Sequence, residues 1–182
     1  MQKLSMEQLQ RPSVETFKAQ DKLPVTLVLD DVRSMHNVGS VFRTADGFAV
    51  ERIFLCGITG TPPHREIEKT ALGATNSIEW RYFSTALEAA DLLKQEGYRL
   101  LAVEQAHQST LLHDFAPQPA DRHALFFGNE VHGVSTPIME IVDGCLEIPQ
   151  FGTKHSFNIA VAAGIVLWEC YRKLTLPQPT GG

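Results

Sequence analysis

The chain has 182 residues, enough for one domain with a buried core, and its 43% hydrophobic and 20% charged content is that of a globular protein. No apolar run approaches the ~20 residues of a membrane-spanning helix, and the polar start MQKLSMEQLQRPSVE has no signal-peptide core. The scattered Cys56, Cys145 and Cys170 form no CxxC pair and read as reduced thiols of a cytoplasmic protein, while the net charge of -5 leaves room only for a local basic patch.

Ser5 followed by Gln8 resembles a capping box and predicts a short helix from Met6 to Phe17. Residues 1–22 are therefore expected to form a helical extension that ends in an Asp21–Pro24 linker, with the main domain covering 23–182. Val25–Leu29 is a short apolar, β-branched run typical of a buried strand. Asn37 is placed to cap a helix from Val38 to Phe48. A strand over Arg52–Cys56, a Gly/Pro loop GITGTPPH, a short helix over Arg65–Leu72 and a strand over Ile78–Phe83 follow. Ser84 caps a helix that runs to Glu96 and stops at Gly97. Strands at Leu100–Val103, Ala124–Phe127 and Cys145–Ile148, a helix over Pro137–Val142 and a long apolar helix over Asn158–Lys173 complete the pattern.

Strands alternating with helices at this spacing predict an α/β fold, a mostly parallel sheet with helices on both faces. Such sheets bind ligands beyond the carboxyl ends of their strands. The loops expected there, DDVRSMHN, GITGTPPH, EQAHQS, GNEVHGVS and PQFGTKHS, are rich in Gly, polar and basic residues. Arg33, His36, Arg43, His64, Arg65, Lys69, His132, Lys154 and His155 lie in or beside them. The acids Glu7, Glu15, Glu88, Asp91 and Glu96 fall in stretches that read as outer helices. No GxGxxG follows a strand, and there is no GxxxxGK[ST], HExxH or GxSxG. Nicotinamide, P-loop, zinc-protease and serine-hydrolase sites are therefore not expected, and neither is a bound metal.

Three segments resemble motifs of the SPOUT methyltransferases, in the SpoU/TrmH-like branch. HNVGSVFRTAD is similar to N-x-G-x-x-x-R-x-A through Asn37, Gly39, Arg43 and Ala45. FFGNEVHGVS is similar to G-x-E-x-x-G through Gly128, Glu130 and Gly133. EIPQFGTKHSFNIAVAAG is similar to the third motif through Ile148, Pro149, Ser156, Asn158 and Ala162. The resemblance runs from about Leu23 to Lys173 and departs at Phe157, where the family carries Leu. It also departs at Glu104 and Gln105, where tRNA-modifying relatives often carry Thr.

The resemblance implies S-adenosyl-L-methionine as cofactor, methyl transfer to a ribose 2'-hydroxyl of tRNA or rRNA, a C-terminal deep trefoil knot and a homodimer. It implies catalytic roles for Arg43, Asn37, Glu130, Ser156 and Asn158, with Arg43 central. A general-base role for an always-protonated Arg is awkward, and an electrostatic one is preferred. Glu104, Gly128, Ile148, Pro149, Phe157 and Asn158 are the expected cofactor contacts. Arg33, His36, Arg43, Arg65, Lys154 and His155 are the expected RNA contacts. A catalytically silent RNA-binding protein and a base methyltransferase of the same superfamily are the alternatives. Asn37 and Asn158 each also read as simple helix caps, and Gly39 as either a phosphate-admitting turn or a close packing point.

Overall fold

The computed structural model describes residues 3–5, 8–9, 11–118 and 120–176. Seven parallel strands form one sheet: β1 Leu23–Asp30, β2 Val50–Cys56, β3 Glu79–Phe83, β4 Arg99–Val103, β5 Thr110–Leu111, β6 His123–Phe127 and β7 Gly144–Glu147, in the order β3-β2-β1-β6-β4-β7-β5. The helices are α1 Val14–Ala19, α2 Met35–Gly47, α3 Arg65–Ala71, α4 Ala74–Ser77, α5 Ala86–Gln95, α6 Thr136–Met139 and α7 Ile159–Thr175.

The alternation of side chains along each strand divides the core in two. Val25, Leu27 and Leu29 of β1, Leu125 and Phe127 of β6 and Leu101 of β4 pack on one face with α2 and α7. Val28, Phe126, Leu100 and Ala102 pack on the other with α5 and with Ile138 of α6. Both faces of the central strands are covered, which is why β1 reads as a continuous apolar run rather than an alternating one.

The order reverses at β1: the chain moves outward to β2 and β3, then crosses to β4 on the other side, and β6 later fills the place between β1 and β4. Crevices at such reversals are where open α/β sheets bind ligands.

The expected strands and long helices are present, with shifts at their ends. The first helix is the largest difference. Ser5 and Gln8 do exchange the two capping-box hydrogen bonds (2.8 and 3.3 Å), but the helix begins at Val14, capped by Ser13 Oγ on the Thr16 amide. Pro12 would sit inside a Met6–Phe17 helix and remove a donor there; residues 6, 7 and 10 lie outside the described ones. Thr85 rather than Ser84 caps α5 by accepting from the Glu88 amide, and Gly97 (φ 80°) follows its end. The four-residue α4 and the two-residue β5 are too short to leave a pattern in the sequence.

Ser34, not Asn37, caps α2: its Oγ accepts from the Asn37 amide at 3.2 Å. Asn37 thus lies in the first turn of α2, where its side chain reaches outward.

Candidate active site

The loop after β6 folds back on itself. The amides and carbonyls of Asn129 and Gly133 exchange hydrogen bonds of 2.9 and 2.8 Å, and Asn129 Oδ1 accepts from the Val131 and His132 amides. Gly128 makes this closure possible, since a Cβ there would collide with the Gly133 carbonyl. The close approach that Gly128 permits is that of its own loop. Gly133 has φ 69°, a conformation glycine adopts without strain.

The closed loop projects Glu130 toward the start of α2. Its carboxylate accepts from the amides of Arg33 (3.0 Å) and Ser34 (3.1 Å) and from Asn37 Nδ2 (3.2 Å). Burial alone would raise the Glu130 carboxyl, but these hydrogen bonds together outweigh it and hold the group below the usual carboxylate range. Glu130 is thus an ionised acceptor and a poor proton donor.

Asn37 Oδ1 in turn accepts from Asn158 Nδ2 at 3.0 Å, and Asn158 Oδ1 caps α7 on the Ala160 amide at 2.9 Å. The direction of this chain is fixed at both ends. A carboxylate only accepts, so Asn37 turns its NH2 toward Glu130 and its oxygen toward Asn158. The Ala160 amide only donates, which leaves Asn158 its NH2 for Asn37. Three of the expected catalytic residues, distant in sequence, meet in one corner.

Beside this corner, at the carboxyl ends of β4, β6 and β7, lies a cavity of about 720 Å³. Val103, Phe127, Ile148, Phe157 and Ile159 give it apolar walls, and Glu104, Gln105, Asn129, Glu130, Ser156 and Asn158 give it polar ones. Of the expected cofactor contacts, Glu104, Gly128, Ile148, Phe157 and Asn158 line it; Pro149 does not. Glu104 is already engaged. Its Oε1 accepts from the Gln105 amide (2.9 Å) and its Oε2 from the Val134 amide (3.1 Å), which ties the closed loop to the end of β4.

Arg43 stands apart. It lies on the exposed side of α2, does not line the cavity, and forms no hydrogen bond or ion pair with the described residues. Seven residues from His36, it shares the stripe on which His36 pairs with Glu66. Gly39 packs against α3, where a Cβ would collide with the Ile67 carbonyl and Thr70 Oγ1, so it is a close packing point.

Among the expected RNA contacts, His155 lines the cavity and accepts Gln105 Nε2 on its carbonyl (2.9 Å), while Arg33, Arg65 and Lys154 are exposed around the rim. Asn129 also lines the cavity, although nothing in the sequence marked it beyond its place next to Glu130; Gln105, noted only as a departure from the family pattern, lines it too. Cys56 and Cys170 are buried, and burial pushes the Cys170 thiol up to about 12 and Cys56 higher still, so neither serves as a thiolate.

The fold and the rim cavity define an α/β protein with a cavity built from three loops at the carboxyl ends of its strands. The chain belongs to the SpoU rRNA Methylase family, whose sequence profile matches residues 24–168. It is 30% identical over 153 residues to a 23S rRNA (guanosine-2'-O-)-methyltransferase of Neisseria meningitidis, covering 84% of this chain and 60% of that one. The structure of an AdoMet-bound rRNA methyltransferase from Sinorhizobium meliloti matches with a TM-score of 0.76 at 25% identity, over 86% of this chain and 62% of the other. A structure concerned with 2-OH methylation on tRNA matches with a TM-score of 0.73 at 25% identity, over 83% of this chain and 96% of the other. The chain spans 60–63% of the length of three of the curated relatives it matches and 43% of a fourth.

Proposed function

We propose that this protein transfers a methyl group from S-adenosyl-L-methionine to a ribose 2'-hydroxyl of tRNA or rRNA. The observation that carries the reading is the Glu130–Asn37–Asn158 hydrogen-bond chain at the edge of the 720 Å³ cavity. The cavity falls in the ~300–1,000 Å³ range of small-ligand sites. Its mixed lining suits a molecule with a flat heterocycle at one end and charged groups at the other. The AdoMet-bound and 2-OH-methylating neighbours support the same reading.

When bound, the cofactor supplies a methyl group on a sulfonium, whose departure leaves a neutral thioether. The protein's part is alignment and electrostatics. Glu130, ionised, fixes Asn37. Asn37 fixes Asn158, whose remaining side-chain N–H is free to position ribose or the methionine end of the cofactor. Ser156 lines the cavity beside Asn158. Ile148, Phe157 and the main chain near Pro149 receive the adenosine. Arg43 stabilises charge developing on the hydroxyl oxygen, and its exposed stripe requires the RNA to lie across α2. Arg33, His36, Arg65, Lys154 and His155 contact phosphates.

The proposal extends to the assembly. The chain divides into an N-terminal extension, 1–22, and a catalytic domain, 23–182; of the described residues of the extension, Phe17, 6% exposed, packs on the core of that domain. The segment after β7 threads a loop as a deep trefoil knot. Lys173 of α7 donates to the His113 and Phe115 carbonyls, as a C-terminal segment held against the β5 region would. The protein is a cytoplasmic homodimer. Val161 and Trp168, 50% and 53% exposed and seven residues apart on α7, offer an apolar stripe for the partner. Among the described residues no helix is long and apolar enough to cross a membrane. A mass of one chain by light scattering would remove the dimer, and a crystal trace passing outside every loop would remove the knot.

Calorimetry with S-adenosylmethionine, followed by nucleoside mass spectrometry of RNA from a deletion strain, tests the function. The reading expects one binding site and the loss of a 2'-O-methyl nucleoside. Absence of binding would favour the silent RNA-binding alternative, and loss of a base-methylated nucleoside the other.

A further inference from the structure

The wall of the 720 Å³ cavity carries an unbalanced charge. Among the described residues its lining includes the carboxylates of Glu104 and Glu130 and no Lys or Arg. His132 and His155 line it too, and an ordinary histidine is mostly neutral at about pH 7.5. Arg43 and Lys154 lie outside the lining. Arg33 faces a smaller cavity behind the Asn129–Gly133 loop, where Asp30 and Asp31 also stand, so that side leaves the balance negative.

Both carboxylates are held in place. Glu104 Oε1 accepts from the Gln105 amide at 2.9 Å and Oε2 from the Val134 amide at 3.1 Å. Gly133 leaves room for this, since a Cβ there would collide with Glu104 Oε2. Glu130 is fixed likewise by the Arg33 and Ser34 amides and by Asn37. Amide donors satisfy a carboxylate without cancelling its net charge, as a Lys or Arg would. Glu130 is exposed, whereas Glu104 is half-buried in the same wall as Val103, Phe127 and Ile148. Water screens Glu104 less, and its field reaches further into the cavity.

A fixed negative wall without a cation of its own favours a ligand that brings positive charge. S-adenosylmethionine carries one more positive charge than S-adenosylhomocysteine, the molecule left after methyl transfer, because the sulfonium has become a thioether. The two are otherwise alike in shape, so apolar contact and hydrogen bonding separate them little. Charge is the property on which this cavity can tell them apart.

We propose that Glu104, with Glu130 as the weaker contributor, makes the cavity select the sulfonium donor over its neutral thioether product. The donor is retained and the product of each turnover leaves more readily. Glu104 acts through its charge, since both its oxygens already hold amides, and it is a specificity-determining residue rather than a catalytic one. This inference rests on the proposed function for its cofactor.

The test is calorimetric titration of the full chain at pH 7.5 with S-adenosylmethionine, S-adenosylhomocysteine and sinefungin, in which a carbon bearing a protonated amine replaces the methylated sulfur. Both cationic ligands should bind about tenfold more tightly than the thioether, as a unit charge several Å from a partly screened carboxylate would. Glu104→Gln should bring that ratio to about threefold or less, by weakening the two cations and sparing the thioether. If that variant does not fold, Glu104→Thr carries the same expectation, and the wild-type ratio stands without either. Equal binding of all three ligands by the wild type, or a ratio unchanged in the variants, would overturn the assignment. Equal weakening of all three in a variant would do the same, because it shows only a structural tie between β4 and the loop. Failure of all three to bind the wild type would remove the proposed function and this inference with it, whereas equal binding removes this inference alone.

Discussion

Asn158 donates a side-chain N–H to Asn37 Oδ1 across 3.0 Å, joining the start of α7 to the first turn of α2 over 121 positions of sequence. Because Asn37 also donates to Glu130, the three side chains act as one unit. A double-mutant cycle of Asn37→Ala and Asn158→Ala should show coupling in the methyl-transfer rate of about 0.5–3 kcal/mol, the range for residues in one hydrogen-bond network. Strictly additive losses would mean that the contact does no catalytic positioning.

Glu130→Gln replaces an oxygen facing the Arg33 and Ser34 amides with an NH2 group or leaves Asn37 without its acceptor. Transfer should fall sharply and Tm should drop. The folded-state pKa of Glu130 lies below its unfolded value, so its contribution to stability is present above the ordinary carboxylate pKa and is lost as pH falls through the depressed one. The Tm difference between wild type and Glu130→Gln should therefore close under acid conditions. A difference that persists unchanged at acid pH would contradict the assignment of an ionised Glu130.

Arg43→Ala should abolish transfer while Tm and S-adenosylmethionine affinity stay at wild-type values. The reason is its isolation from the described residues and from the cavity. Full turnover by this variant would remove Arg43 from the mechanism. A large loss of stability would show an internal role that its exposure does not suggest.

His123 at the start of β6 is fully buried, and neither ring nitrogen has a hydrogen-bond partner among the described residues. Phe115 sits edge-on at 5.2 Å. Burial lowers its pKa, with Arg99 acting in the same direction and Asp121 against it. The folded value lies below the unfolded one, so stability is full above about pH 6.5 and declines as pH falls from there to the folded pKa. His123→Phe keeps an aromatic ring beside Phe115 and should flatten the Tm profile between pH 7 and pH 5. An unchanged acid slope would place the effect elsewhere.

Gly39→Ala should destabilise the protein by about 1–3 kcal/mol, the usual cost of overpacking, because its Cβ would meet the Ile67 carbonyl and Thr70 Oγ1 of α3. Wild-type stability by thermal melt would show that α3 can shift freely.

The central strands were legible because each is a short apolar run bounded by Gly, Pro or charge, and parallel burial makes such runs continuous; the two-residue, exposed β5 has no such run. The start of α2 was not. Ser34 and Asn37 are both good caps, and only the Glu130 carboxylate, 93 positions from Asn37, explains why Asn37 is used otherwise. The motif residues Asn37, Glu130 and Asn158 were legible as a set through family resemblance, but spacing along a chain carries no information on who bonds to whom. Glu104 shows the limit from the other side. Its place at the end of β4 indicated the cavity, whereas its two backbone contacts depend on how the distant Gly128–Val134 loop folds.

The most direct measurement is incubation of the protein with methyl-labelled S-adenosylmethionine and unmodified tRNA or rRNA, followed by mass spectrometry of the digested nucleosides. The account predicts label on a 2'-O-methyl ribose, lost with Arg43→Ala. Label on a base, or none from a protein that binds the cofactor and the RNA, would contradict it.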